Sequence, residues 1–187
     1  MRKRFSTRLL MTCAALGVAT GVLLIPAYLV MTVLMTAAPL VVLALQGAWF
    51  LPPMLALALL RTPGAGALTS TIAGLACVPF TGYGWAAVGM GLMWGAIAEL
   101  PFLLTLYRVW RAWLFVAGAA VIGAAAGVPT YTGYGIDQMA PLTQAAAIAM
   151  MPLTTAVFTV LALVLAKGLA KAGVAAGTGR DDTAEAV

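Results

Sequence analysis

From Leu9 to Leu169 the chain reads as a series of long apolar runs, cut at a few places by Arg, Pro, Gly and aromatic clusters. Such clusters mark where membrane-spanning helices end. The first span runs from about Arg8 to Ile25. The next apolar segment, Pro26 to Leu60, is too long for one ordinary helix and holds Pro39, Gln46-Gly47 and Pro52-Pro53. It divides into an irregular connection, Pro26 to Leu45, and a second span, Gly47 to Leu60, ending at Arg61. The third span is Gly64 to Phe80. The fourth is Trp85 to Tyr107, ended by Arg108 and Arg111, and the fifth is Ala112 to Val128. The sixth runs from Met139 to Ala170 and can kink at Pro141 and Pro152. The expected fold is an all-α integral membrane protein: a compact six-transmembrane-helix bundle over residues 1–172 with an irregular first outer loop. The Gly/Ala-rich acidic segment 173–187 is expected to be a disordered cytoplasmic tail.

The positive charges test this division, because Lys and Arg collect in cytoplasmic loops. Six spans with a cytoplasmic N-terminus put Arg2, Lys3, Arg4, Arg8, Arg61, Arg108, Arg111, Lys167, Lys171 and Arg180 all on the inside. An odd number of spans would place Lys167 and Lys171 opposite the basic N-terminus. The basic start followed by Leu9 to Ile25 has the look of a secretory signal. That run is long for such a signal, so it is expected to stay as the first span.

Composition agrees, with 64% hydrophobic and 8% charged residues among 187. The net charge of +5 follows from the orientation signal and implies no nucleic-acid partner. The chain has no His, and its two Cys, Cys13 and Cys77, lie in apolar runs. No metal site, cofactor or catalytic constellation is expected from so few donors and nucleophiles.

Two polar interruptions repeat. TGYG occurs at Thr81 to Gly84 and again at Thr132 to Gly135, after the third and fifth spans, so both copies face the same side. They read either as interfacial turns anchored by belt aromatics or as two loops around one outward cavity. In the second case Tyr83, Trp85, Tyr131 and Tyr134 would sandwich a flat or cationic ligand. Neither copy lies between a pore helix and an inner helix, as a potassium-channel filter would.

Only two carboxylates lie in the membrane body, Glu99 and Asp137. Asp137 follows the second TGYG and is either the N-cap of the sixth helix or a ligand group. Glu99 stands nine residues before Arg108, roughly 13 Å along a helix, which places it near the bilayer midplane. Glu99, Gly95, Gly91 and Ala87 form a small-residue stripe that admits a neighbouring helix or a ligand. Glu99 is thus either a buried structural acid or a ligand for a cationic or hydrogen-bond-donating ring. Trp94 and Gln46 are further candidates.

Six helices, the irregular first connection, the outer aromatic loops and the run PFTGYGW…GAIAELPF resemble the substrate-binding S components of energy-coupling factor (ECF) transporters, especially the YkoE-like group linked to thiamine and hydroxymethylpyrimidine. The resemblance implies a vitamin-binding subunit of the bacterial cytoplasmic membrane, with Pro26 to Leu45 as a lid. It implies partners: a membrane coupling subunit docked on Ala15 and Ala19, and separate ATPase subunits. No G-x-x-x-x-G-K-[ST] phosphate loop occurs in this chain. Glu99, Tyr83, Trp85 and Tyr134 would fill the roles of the glutamate and stacked aromatics of thiamine sites. Two other classes remain: a stand-alone secondary transporter or channel for a small cation, and a membrane assembly protein.

Overall fold

The computed structural model describes residues 6–35 and 37–174; Arg2, Lys3, Arg4, Arg180 and nearly all of the expected tail lie outside the described residues. Among the described residues the chain is helical, with no strand. The helices are α1 Thr7–Leu34, α2 Pro39–Leu60, α3 Ala65–Cys77, α4 Ala86–Leu104, α5 Ala112–Gly133 and α6 Pro141–Lys171. Five of them are long and apolar enough to cross a membrane. The exception is α3, which a 3-10 turn prolongs to Phe80 and which remains shorter than the rest. The protein is a multi-pass membrane protein built as the helical bundle the apolar pattern implies. The end carrying Arg61, Arg108 and Arg111 is called the basic end below, and the end carrying the two TGYG copies the aromatic end.

The irregular first connection is not there. Helix α1 runs straight through Pro26 to Leu34, and Pro39 opens the next helix, so only 35–38 separate the two. The reason is the solvent: in hydrocarbon every backbone polar group must be satisfied internally, so an apolar stretch stays helical at the cost of the one bond Pro26 cannot make. Pro39 sits in the first turn of its helix, where a missing N–H costs nothing.

The break comes later, inside α2. Pro52 and Pro53 have no N–H to offer the carbonyls one turn back, and the stretch before them, Gly47–Phe50, winds tighter as a 3-10 segment. The Leu51 N–H accordingly donates to the carbonyl of Ala48. Helix α2 lies at the centre of the bundle, packed on α1, α3, α4 and α6.

Around it, glycines set how closely the helices approach. A β-carbon on Gly17 or Gly21 of α1 would stand 2.8 Å from Ile72 or 2.7 Å from the Ala73 carbonyl of α3. On the opposite face of α3, Gly74 meets the Ala87 carbonyl, while Gly91 and Gly95 of α4 press on Ser70 and Ala67. The small-residue stripe of α4 is therefore occupied by a helix, α3, and not by a ligand. Helices α5 and α6 pair at Gly123 against Thr155, whose hydroxyl donates to the Ala119 carbonyl at 2.9 Å.

Candidate functional site

Both TGYG copies close in the same way, with the last glycine in the left-handed region: Gly84 at φ 52° and Gly135 at φ 65°. A side chain is disfavoured there, which is why the motif ends in Gly. The helix before the second copy ends later than the expected Val128: α5 continues through Thr132 and Gly133 and leaves Tyr134 as its C-cap. In each copy the Tyr just before the left-handed Gly turns toward the bundle.

There the tyrosines meet aromatic groups from α1 and α2. The rings of Tyr28 and Trp49 are 4.0 Å apart between centroids, and those of Tyr28 and Tyr83 are 5.4 Å apart. Tyr134 lies near enough to Tyr83 and to the Gln46 side chain to interact with both. Tyr134 also packs on the cluster of Leu24, Tyr28, Trp49 and Cys77. Beneath this cage Trp49 and Trp94, with Ser70 and Met90, line a cavity of about 20 Å³. That is room for one water molecule, so a ring-sized ligand enters only when the cage wall moves.

Four of the residues singled out in the sequence, Tyr83, Tyr134, Gln46 and Trp94, thus converge at the aromatic end. Tyr28 and Trp49 were not foreseen. Tyr28 sits in the stretch read as a loop, although its helical spacing from Leu24 and Met31, with all three buried, is the signal that would have found it.

The other candidates lie elsewhere. Trp85 is 74% exposed at the start of α4, an interfacial belt residue. Tyr131 donates to Gln144 Oε1 at 2.6 Å, and Gln144 Nε2 in turn donates to the carbonyls of Asp137 and Met139. Asp137 is exposed in the 3-10 turn Ile136–Gln138, and α6 is capped by Ala140, so Asp137 is not its N-cap. Ala15 and Ala19 are exposed on the outward face of α1.

Glu99 is the largest departure. It sits at the basic end, remote from the cage: both oxygens are engaged at the start of α3, with the Gly64 N–H donating to Oε2 at 2.9 Å and the Ala67 N–H donating to Oε1 at 3.0 Å. The Tyr107 hydroxyl adds a third bond to Oε2 at 2.8 Å. Glu99 thereby caps orphan amides at the positive end of the α3 dipole, while Tyr83 lies beyond the far end of that helix, about 20 Å away by its rise. Helix α4 stops at Leu104. Leu106 and Tyr107 then take left-handed conformations, φ 52° and 56°, and fold Tyr107 back. Burial first, and the neighbouring carboxylate second, push the Tyr107 hydroxyl up to about 12. It therefore remains a donor to Glu99 at any physiological pH.

A family model described as "ABC-type cobalt transport system, permease component" matches residues 9–125, more than half of the chain, and the chain belongs to that family. A solved structure described as "Crystal structure of an S-component of ECF transporter" superposes with a TM-score of 0.79 at 19% identity, covering 91% of this chain and 88% of that one. The two share a fold. No curated protein matches the chain.

Proposed function

We propose that the chain is the substrate-binding S component of an ATP-driven ECF-type importer. It would lie in the bacterial cytoplasmic membrane with both termini and the basic turns inside. Its substrate is a flat aromatic solute of the thiamine or pyrimidine class. The observation that carries this reading is the convergence of Tyr28, Trp49, Tyr83 and Tyr134, the last of them beside Gln46, at one end of a fold shared with an S component. Stacked rings contribute about 0.5–1.5 kcal/mol per contact, and a cationic ring over them gains a similar amount. Gln46 supplies an amide that can pair with an aminopyrimidine edge. ATP hydrolysis belongs to separate subunits.

The family's description names cobalt. The donor set here does not favour a metal cargo: the chain has no His, and no group of three or more His, Cys, Asp or Glu side chains gathers among the described residues.

Titrating the purified protein with thiamine, hydroxymethylpyrimidine and Co²⁺, followed by tryptophan fluorescence, tests the reading. Saturable quenching by an organic ring is expected. Tyr28→Ala and Tyr134→Ala should each weaken binding about tenfold, Tyr134→Phe much less. A saturable response to Co²⁺ alone, or unchanged affinities in both Ala variants, would overturn it. Uptake into liposomes without ATPase subunits would make the protein a secondary transporter instead.

The exposed pair Ala15 and Ala19 is proposed to dock the coupling subunit, because small residues allow close helix approach. Ala15→Leu with Ala19→Leu should leave ring binding by the isolated subunit unchanged. Co-purification with the coupling subunit should fall several-fold, and equal losses in both assays would show a folding defect rather than a docking role.

A further inference from the structure

Helices α5 and α6 touch at one level and separate at the next. At Gly123 a β-carbon would collide with Thr155; one turn on, at Gly127, it would stand 3.6 Å from Met151. The pair therefore opens as a V toward the aromatic end. Leu43 of α2 and Ile136 close its back, and the space enclosed is about 360 Å³. Its lips are Val128, 72% exposed, and Ile148, 64% exposed, on the outward faces of two membrane-spanning helices. The V thus opens sideways, toward the surrounding hydrocarbon; it adjoins the aromatic cage, because Tyr134 packs both on the Leu43, Ile136, Ala147 and Met151 cluster that lines the V and on the cluster of Tyr28 and Trp49.

Water is a poor occupant, because a buried water needs two to four polar partners. The polar groups at the rim are already engaged: the Tyr131 hydroxyl donates to Gln144, and the Thr132 hydroxyl donates to the Pro129 carbonyl at 3.4 Å. The remaining walls are Ala124, Gly127, Ala147 and Met151, small or flexible apolar residues that accept a chain of methylenes. An empty space of this size beside fluid acyl chains would forfeit contacts along its whole lining.

We propose that the V between α5 and α6 is a lipid site that takes one acyl chain of a bilayer phospholipid, entering between Val128 and Ile148. The full chain in bilayer nanodiscs containing phosphatidylcholine with a diazirine near the middle of one acyl chain tests this. Illumination followed by peptide mapping should place adducts on the inward wall, at Gly127, Ala147 and Met151, at least five times more often than on the outward residues Val121 and Val157. Ala147→Trp, which fills the space, should remove the wall adducts while leaving those on the outward faces. Gly127→Leu serves as the second filling variant, since a side chain there meets Met151 only at ordinary contact distance. Adducts spread evenly over the outward faces of α5 and α6 in the unchanged protein would overturn the proposal. So would wall adducts that persist in both filling variants, or that vanish on addition of thiamine, which would assign the space to the solute.

Discussion

Glu99→Ala should lower the stability of the detergent-solubilised protein by about 3 kcal/mol, because it strands three donors at once: the Gly64 and Ala67 amides and the Tyr107 hydroxyl. The site is only 8% exposed, so water reaches those donors poorly. Glu99→Gln keeps one acceptor oxygen but turns an amide N–H₂ toward at least one of the donors; about half the loss is expected. Tyr107→Phe removes a single bond and should cost about 1 kcal/mol. Denaturant unfolding followed by tryptophan fluorescence checks the order. Ring affinity in the Glu99→Gln protein should stay within twofold of the unchanged chain, since the carboxylate lies at the opposite end of α3 from the cage. Should Glu99→Gln unfold like the unchanged protein while losing ligand tenfold or more, the acid belongs to the binding site and the capping role is wrong.

A second large effect is expected where helices touch through backbone. Gly91→Ala would drive a β-carbon into the Ser70 carbonyl, and neither partner is a side chain that can swing away. Overpacking of this kind typically costs about 1–3 kcal/mol, and with rigid backbone on both sides the upper end applies. Gly89→Ala, two residues earlier on the same helix, meets nothing within 4 Å and should be neutral or slightly stabilising through helix propensity. The ratio of monodisperse to aggregated protein on size exclusion separates the two. Equal behaviour of both variants would mean that α3 and α4 are not locked through Gly91.

The aromatic pair Tyr83 and Tyr134 was legible in the chain because the TGYG repeat marked it, and α6 was legible as a long apolar run with a basic end. The first loop was misread. Proline and chain length suggested a break at Pro26, yet a Pro inside a membrane helix forfeits one bond, whereas an open loop in hydrocarbon forfeits many. Tyr28 was lost from the site with that misreading.

The sequence by itself determined the solvent of this protein, its all-helical build, and the two polar turns that repeat. All of these follow from local quantities: apolar run length, charge at the run ends, and glycine where φ must be positive. It could not determine which helix lies against the stripe of α4, where Glu99 finds its donors, or which rings gather with Tyr83 and Tyr134. Those depend on contacts such as Gly64 with Glu99 and Tyr28 with Tyr83, between residues 35 and 55 positions apart in the chain. They arise only when α3 settles between α1 and α4 and brings the start of one helix onto the acid of another. The tertiary structure turned the buried Glu99 into a helix cap and left the aromatic cage as the candidate site, because a carboxylate in a membrane goes where backbone amides can hold it.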